Sequence, residues 1–322
     1  MGRCAMLPTI ATVLVMLLVA CSSSNSGGSE GTGGATGSGG SSSLGGTSET
    51  GGRVGTGGAV TGTGGSTQPP TGGGSGSPGC GSSNTTSPCS KSGTTCSLDV
   101  GGTLRTYYVQ LPASYSSSKP YPVVFQFHPM GGTAEMAMTM YRLNSGLPDV
   151  IYVSPQGLSA NGGSTGWPNT NGQDIAFTKA MLADVQAKYC VDSTRIFSTG
   201  FSYGGMMSFT IGCQMSDVFR AIAPMAGAMM GGCRGGSGHA IAMWGSHGLS
   251  DTTVSTDNGR SARNTILQQN HCGTETTPTE PSPCVAYGGC DSGYPVTWCE
   301  FEGGHQIPSF ASSAIAAFFR QF

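Results

Sequence analysis

Apolar residues along the chain fall into short strand-like runs separated by helical repeats. Residues 104–111 alternate between polar and apolar side chains and predict a half-exposed strand, whereas the nearly continuous apolar run 121–127 predicts a buried one. Further strands are predicted at 150–154, 196–199, 221–225, 240–245 and 296–301. Helices are predicted from 171–174 onwards, after residue 202, near 260–269 and at the end of the chain.

Strands that alternate with helices are typical of a mostly parallel sheet covered by helices on both faces. The pattern therefore predicts an α/β fold. In such sheets the active site lies at the carboxyl ends of the strands.

Composition divides the chain unevenly. Residues 22–79 hold 23 of the 55 glycines and are otherwise mostly Ser and Thr. Because this stretch has too few large apolar side chains to offset its ordering entropy, we interpret it as a flexible linker with a reach of about 40 Å. Residues 80–322 remain for a single folded domain.

The first 21 residues have the layout of an export signal, with Arg3 followed by an apolar run too short to span a bilayer. The tetrapeptide Leu18-Val19-Ala20-Cys21 resembles a bacterial lipobox, so we expect Cys21 to carry a lipid anchor. The alternative is an ordinary secretory signal with a coincidental cysteine. Both interpretations place the protein outside the cytoplasm, at the cell surface or secreted, and Ser22 after the anchor cysteine resembles outer-membrane sorting.

Cysteines support export. Beyond Cys4 and Cys21 the chain holds an even set of ten, which predicts disulfides. A zinc site is the alternative, but no Cys-x-x-Cys pair exists, and we expect neither a metal nor a cofactor. The spacing does not determine the pairing; Cys272 with Cys299 is our expectation, since this bond would brace the region of the later catalytic residues.

Charge excludes some partners. Charged residues make up 9% of the chain and the formal net charge is −2. Without a basic stripe, the chain is not expected to bind nucleic acid, and we expect it to act as a monomer.

Gly200-Phe201-Ser202-Tyr203-Gly204 marks the chemistry. An apolar strand precedes this pentapeptide and a helical repeat follows, which is the context of a nucleophile elbow. The pentapeptides 27–31 and 162–166 fit the same G-x-S-x-G pattern, but no strand precedes them. Ser202 is therefore the predicted nucleophile of a serine esterase.

A serine nucleophile needs a histidine base, and at an elbow of this kind the acid and then the histidine follow it in the chain. His305 lies in the loop between the last strand and the last helix, where it can reach Ser202. His271, the alternative, lies at a helix end, where capping or packing is the simpler role.

The acid is expected at the end of a strand. Asp251 follows the predicted strand 240–245 in this way and is our candidate. Asp257 precedes a helical pattern and is interpreted as its N-cap. Asp291 lies in an insertion rich in Gly and Cys and is the weakest alternative.

An oxyanion hole needs two N–H donors. Tyr203 supplies the first by its position after the nucleophile. The second is expected from Met130 or Gly131, because Pro129 has no N–H. His128 is interpreted as holding this loop by hydrogen bonding.

Trp167 lies in a loop expected at the same edge of the sheet. It is a candidate for stacking on a substrate ring, and packing on the core is the equal alternative. Asp174 is interpreted as an acid at the start of a helix.

These motifs resemble those of the polyhydroxybutyrate depolymerase-like esterases, and within them the feruloyl esterases of carbohydrate esterase family one. The resemblance covers about residues 95–310 and rests on several ordered segments: His128-Pro129-Met130-Gly131-Gly132, 166–174, Cys190-Val191-Asp192, 200–205, His247-Gly248 with Asp251, and 301–305. It implies an α/β-hydrolase fold, no metal, and the release of hydroxycinnamates such as ferulate from plant cell-wall polysaccharide.

Two departures bear on this expectation. Pro129 stands where the family commonly has glycine, and no tryptophan follows His305, which favours plant-wall esters over polyesters. Acetylxylan esterase and polyhydroxybutyrate depolymerase are the alternatives within the same chemistry. A surface lipoprotein that binds glycan on a hydrolase scaffold is the alternative without catalysis.

Overall fold

A computed structural model of the chain describes residues 76–89, 95–159, 163–230, 233 and 238–322. The predicted export signal, Cys21 and the linker up to residue 75 lie outside these residues. Gly76 forms an isolated bridge with Asp192, and the Ser77 hydroxyl donates to the Tyr189 carbonyl oxygen at 2.6 Å.

Strands and helices alternate over most of the described part. The strands are β1 (Cys96–Val100), β2 (Thr103–Gln110), β3 (Tyr121–Phe127), β4 (Ile151–Pro155), β5 (Leu158–Ser159), β6 (Thr165–Gly166), β7 (Val191–Phe201), β8 (Ala221–Met225), β9 (Ala242–Gly248), β10 (Thr276–Pro278), β11 (Cys284–Tyr287) and β12 (Val296–Phe301). The helices are α1 (Ala134–Met140), α2 (Gln173–Lys188), α3 (Tyr203–Gln214), α4 (Thr256–Gln269) and α5 (Ala311–Phe319), with 3-10 turns at Leu143–Ser145 and Thr170–Gly172. Within these ranges no helix combines the length and the apolar character needed to cross a bilayer.

One large sheet has the strand order β1-β2-β4-β3-β7-β8-β9-β12-β11-β10. The strands from β4 to β12 in this order pair in parallel, whereas β1, β2, β10 and β11 pair antiparallel at the two edges. This order confirms the predicted mostly parallel sheet and is that of an α/β-hydrolase.

Both faces of the sheet are buried. Because successive side chains of a strand point to opposite faces, Val123 and Phe125 of β3 join one core while Val124 joins the other. The first core includes Phe177 of α2, Phe209 of α3 and Ile266 of α4; the second includes Ala137 of α1 and Ile315 of α5. The helices therefore cover the sheet on both sides.

Five disulfides join the ten cysteines of this part of the chain: Cys80–Cys190, Cys89–Cys96, Cys213–Cys233, Cys272–Cys290 and Cys284–Cys299. The expected Cys272–Cys299 pairing is wrong. Cys284 of β11 lies directly opposite Cys299 of β12 in the register of the sheet, so Cys299 is already paired. Disulfides of this density fit a protein that folds in an oxidising, extracellular environment.

Tyr141, directly after α1, connects the two strands that end at the functional edge. Its hydroxyl donates to the carbonyl oxygen of Phe127 at 2.5 Å and accepts from the N–H of Phe201 at 3.0 Å. Phe127 ends β3 and Phe201 ends β7, and the phenol is buried. Burial raises the pKa of Tyr141 well above its usual range, so the hydroxyl keeps its proton as a donor.

We predict that Tyr141→Phe lowers the free energy of unfolding by about 1–3 kcal/mol, because two buried backbone groups lose their partner. Urea denaturation measures the change. Tyr108→Phe is the matched control, since Tyr108 is also buried but its hydroxyl makes no hydrogen bond within the described residues. Equal losses in the two variants would contradict the bridging role of Tyr141.

Candidate active site

Ser202 lies at a sharp turn between β7 and α3. Its backbone angles are φ 57° and ψ −119°, a region that residues with a side chain rarely occupy. Its N–H donates to the carbonyl oxygen of Met225, the last residue of β8, at 2.9 Å. The strained turn projects the hydroxyl above the carboxyl edge of the sheet, as a nucleophile elbow requires.

Close backbone contacts at the elbow explain its glycines. A Cβ atom on Gly204 would lie 2.0 Å from the carbonyl oxygen of Phe127 and 2.9 Å from that of His128. A Cβ atom on Gly200 would lie 2.2 Å from the Gly204 backbone. The first turn of α3 therefore packs directly against the end of β3, which leads into the predicted oxyanion loop.

Ser202, His305 and Asp251 form one chain of hydrogen bonds. The Ser202 hydroxyl donates to Nε2 of His305 at 2.9 Å, and Nδ1–H of His305 donates to Oδ2 of Asp251 at 2.7 Å. The three residues follow β7, β12 and β9, so their loops meet at one edge of the sheet. The Phe201 ring packs on the imidazole, with 4.8 Å between ring centroids.

Asp251 is held as a carboxylate. Its Oδ1 atom accepts the N–H groups of Thr253 and Val254, each at 2.9 Å. Burial alone would raise the pKa of Asp251, but the hydrogen bonds from His305, Val254 and Thr253 outweigh it and hold the pKa below its usual range. Asp251 can therefore orient His305 and stabilise the imidazolium that forms during catalysis.

The loops that carry the acid and the histidine are bonded to each other through their backbones. The N–H of Ser250 donates to Gly303 O at 2.8 Å, and that of Leu249 donates to Phe301 O at 2.9 Å. A Cβ atom on Gly248 would lie 2.2 Å from the carbonyl oxygen of Gly304. The separation of Asp251 and His305 is thus set by backbone contacts.

The rejected alternatives lie elsewhere. His271 follows the end of α4, is exposed, and its Nδ1 pairs with Asp291 at 2.9 Å. Asp257 pairs with Arg260 at 3.0 Å in the first turn of α4. The N-cap of this helix is Ser255, whose hydroxyl accepts the N–H of Asn258, so the interpretation of Asp257 as the N-cap is wrong by two residues.

Hydrogen bonds within the loop after β3 show which of the two candidate N–H donors, Met130 or Gly131, already has an acceptor. The N–H of Gly131 donates to Thr165 O at 2.8 Å and that of Gly132 donates to Pro129 O at 3.0 Å. The N–H of Met130 has no acceptor among the described residues. Tyr203 is the first residue of α3, where a backbone N–H has no intrahelical acceptor.

His128 holds this loop through both ring nitrogens. Its Nδ1–H donates to Pro129 O at 2.8 Å, and its Nε2 accepts the N–H of Gly157 at 2.9 Å. This pair of contacts defines a neutral imidazole. Burial lowers the pKa of His128, and the hydrogen bond to Pro129 offsets this only in part.

Trp167 is fully buried, so the expectation that it binds a substrate ring is not met in this conformation. Its Nε1–H donates to the carbonyl oxygen of His128 at 2.8 Å. Its ring packs edge-on against Phe127, with centroids 5.0 Å apart. Trp167 packs against the inner side of the predicted oxyanion loop, in agreement with the packing alternative.

A buried ion pair that the sequence did not indicate supports the Trp167 loop. Arg105 of β2 donates to Oδ1 of Asp174 at 2.8 Å, and both side chains are buried. The other carboxylate oxygen of Asp174 accepts the N–H of Asn169, whose side-chain oxygen accepts the N–H groups of Asp174 and Ile175. Asp174 lies in the first turn of α2, as expected, but it also fixes the preceding loop.

The chain resembles known proteins in sequence and in fold. The model of the Prolyl oligopeptidase family matches residues 151–230, the segment from β4 to just beyond β8. Among solved structures, the acetyl xylan esterase from Aspergillus awamori superposes with a TM-score of 0.55 at 18% identity, covering 71% of this chain and 99% of that one. A CE1 ferulic acid esterase from Anaeromyces mucronatus, in complex with ferulic acid, superposes with a TM-score of 0.51 at 18% identity, covering 72% and 93%. At this identity the likeness concerns the fold.

Sequence relatives carry the family assignment. Feruloyl esterase D of Neurospora crassa is 35% identical over an alignment of 225 residues, and the match covers 64% of this chain and 76% of the relative. Feruloyl esterase C of Emericella nidulans is 33% identical over an alignment of 225 residues, and the match covers 66% of this chain and 80% of the relative. These matches confirm the resemblance drawn from the motifs: the chain belongs to the feruloyl esterase family and is a serine carboxylic ester hydrolase.

Proposed function

We propose that this protein hydrolyses hydroxycinnamoyl esters of plant cell-wall polysaccharide through an acyl intermediate on Ser202. His305 is the general base and then the general acid, and Asp251 orients it. The N–H groups of Tyr203 and Met130 form the oxyanion hole. The observation that carries this proposal is the hydrogen-bonded series from the Ser202 hydroxyl through His305 to Asp251.

In the first half of the reaction, the Ser202 oxygen attacks the ester carbonyl while its proton passes to Nε2 of His305. The carbonyl oxygen becomes an oxyanion and accepts the N–H groups of Tyr203 and Met130. When the intermediate collapses, the bond between the acyl carbon and the sugar oxygen breaks, and His305 gives its proton to that oxygen, which leaves as the sugar hydroxyl. The acyl group remains on Ser202.

In the second half, His305 takes a proton from water, and the resulting hydroxide attacks the acyl carbonyl. A second oxyanion forms in the same hole. Its collapse releases the carboxylic acid and returns the proton from His305 to Ser202. No atom outside the chain, the ester and one water is required.

The preference for an aromatic acyl group is supported in two ways. The relatives are named feruloyl esterases, and one related fold holds ferulic acid. In addition, Met130 and Leu249 are 62% and 42% exposed, in the loops that follow β3 and β9. Exposed apolar side chains beside the triad offer a surface for a hydroxycinnamoyl ring.

We predict that Ser202→Ala lowers kcat/KM for methyl ferulate by on the order of 10⁵-fold, because the nucleophile is removed. Labelling by a fluorophosphonate probe should disappear with it. Ser164→Ala is the matched control, because Ser164 lies in the other G-x-S-x-G pentapeptide that reaches the described residues. It should keep the parent kcat/KM for methyl ferulate and the parent level of labelling. Parent-level turnover by Ser202→Ala would exclude the acyl-Ser202 mechanism.

A substrate panel tests the acyl group separately. Methyl ferulate, acetylated xylan and a short-chain polyhydroxybutyrate should be compared at equal enzyme concentration. We expect the ferulate ester to have the highest kcat/KM. A strong preference for acetyl esters would overturn the proposed substrate while leaving the mechanism intact.

The neutral state of His128 predicts a pH dependence. Above about pH 6.5 the imidazole is neutral in the folded and the unfolded chain, so its contribution to stability is complete. Because its folded pKa is lowered, the unfolded chain takes up the proton first as the pH falls, and this contribution is lost through the folded pKa. Urea denaturation between pH 7.5 and 5 should therefore show a steeper loss of stability in the parent than in His128→Gln. Parallel pH profiles would contradict the neutral role.

For localisation, the proposal is a surface lipoprotein anchored through Cys21. The described chain begins at Gly76, next to Asp192 at the start of β7, and Cys80 is bonded to Cys190 there. Ser202 follows the other end of this 11-residue strand, roughly 35 Å away. Cys80, the first residue after the predicted linker, is therefore bonded near the end of β7 that lies opposite Ser202, which supports access of an external polymer to the active site.

We predict that Cys21→Ser moves the protein from the membrane fraction to the soluble fraction without changing kcat on methyl ferulate, because the lipid acceptor is lost and the catalytic domain is untouched. Fractionation of cells expressing the full chain measures this. Cys4→Ser is the control. Unchanged membrane association of Cys21→Ser would exclude the anchor.

A further inference from the structure

His247 is a second buried histidine beside the candidate triad, and the proposed mechanism does not use it. It lies near the end of β9 and is fully buried. Its Nε2 is 2.8 Å from the carbonyl oxygen of Val254 and 3.3 Å from Oδ2 of Asp251. The imidazole of His247 therefore contacts the loop that carries Asp251 from the buried side of that loop.

These contacts define the proton position on His247. Because Nε2 faces a carbonyl oxygen, it must carry the proton and donate it to Val254. Nδ1 has no hydrogen-bond partner among the described residues. The space on this side of the ring is filled by α4, where a Cβ atom on Gly259 would lie 2.1 Å from Nδ1.

Val254 connects His247 to the acid. Its carbonyl oxygen accepts from His247, and its N–H donates to Oδ1 of Asp251 at 2.9 Å. The imidazole thus fixes the residue that holds the carboxylate. Thr256 closes the same loop from its other end by donating its hydroxyl proton to Gly248 O at 2.7 Å.

Simple filling of the core does not account for this arrangement. The Trp298 ring of β12 is the aromatic neighbour, with centroids 6.3 Å apart. A phenylalanine would make that ring contact equally well and would not leave a buried Nδ1 atom without a hydrogen-bond partner. The polar atoms of the imidazole are therefore needed for its contacts with Val254 and Asp251.

We propose that His247 is a positioning residue for catalysis: through Val254 it sets the orientation of the Asp251 carboxylate toward His305. This inference rests on the proposed function of the triad. Loss of the Nε2 donor leaves the Val254 carbonyl unpaired in a buried site, so the loop shifts and Asp251 moves with it. A small displacement of a catalytic group is enough to slow the reaction substantially.

His247→Phe keeps a planar ring and removes the donor, whereas His247→Gln places an amide nitrogen where the imidazole Nε2 lies. We expect His247→Phe to lower kcat on methyl ferulate by on the order of 10- to 100-fold, with KM nearly unchanged. His247→Gln should recover most of the loss. The low-field proton resonance of His305 Nδ1–H, which reports its bond to Asp251, should shift or disappear in the Phe variant and persist in the Gln variant.

Controls separate this inference from the proposed function. His271→Phe makes the same substitution at an exposed histidine and should keep the parent kcat. A folded His247→Phe with the parent kcat and the parent His305 resonance would overturn the positioning role, even if its stability is lower. In that case inactivity of Ser202→Ala would still support the triad; full activity of Ser202→Ala would instead remove the basis of both proposals.

Should His247→Phe fail to fold, two tests remain. His247→Gln must keep kcat within a few fold of the parent, and a Gln variant that is folded but as slow as His305→Ala would overturn the inference. Imidazole ¹⁵N spectra of the native protein at pH 8 should show His247 protonated on Nε2 and bare on Nδ1. The opposite tautomer would also overturn it, since Val254 would then have no donor.

Discussion

The backbone of Ser202 is the constraint on which the functional edge depends. Its positive φ is tolerated because the neighbouring elements over-determine it: Met225 O accepts its N–H, and the backbone of Gly204 packs against the end of β3. Any side chain at residue 204 would separate α3 from Phe127 and His128, and with them the proposed nucleophile from the proposed oxyanion loop. The turn and the oxyanion loop are therefore positioned by one contact between backbones, and Tyr141 binds the same two strand ends together.

On the other side of Ser202, the acid and the base are also positioned as a pair. Gly248 allows the loops after β9 and β12 to touch, and two backbone hydrogen bonds join them. The site thus consists of two parts, the elbow with the predicted oxyanion loop and the Asp251 loop with the His305 loop, which are joined by the hydrogen bond between Ser202 and His305 and by the packing of the Phe201 ring on the imidazole. This division explains why so much buried polar structure, such as His128, His247 and the Arg105–Asp174 pair, lies behind the reacting groups.

Periodicity and motif order were sufficient to predict the central strands, the main helices and three side chains that the structure brings together. These features are local, because an apolar run of strand length, or a serine with a glycine two residues away on each side, can be recognised within a few residues. The elements missed were α1 and the strands β1, β5, β6, β10 and β11, which are short or lie at the sheet edges where the apolar pattern is weak. Pairings between distant segments could not be predicted either, and Cys299 is an example, because its partner depends on the register between β11 and β12.

Trp167 shows why residue type alone misassigns a supporting residue. A tryptophan in a loop at the functional edge suggests stacking on a substrate. Here, however, the indole N–H donates to His128 O and the ring packs against Phe127. Composition does not distinguish the two roles, since both need a large ring with one donor. Arg105, far away in the chain, fixes the loop after Trp167 through its bond to Asp174, which also accepts the N–H of Asn169. His128, Trp167 and the Arg105–Asp174 pair thus support the loops around Ser202 without taking part in the proposed reaction.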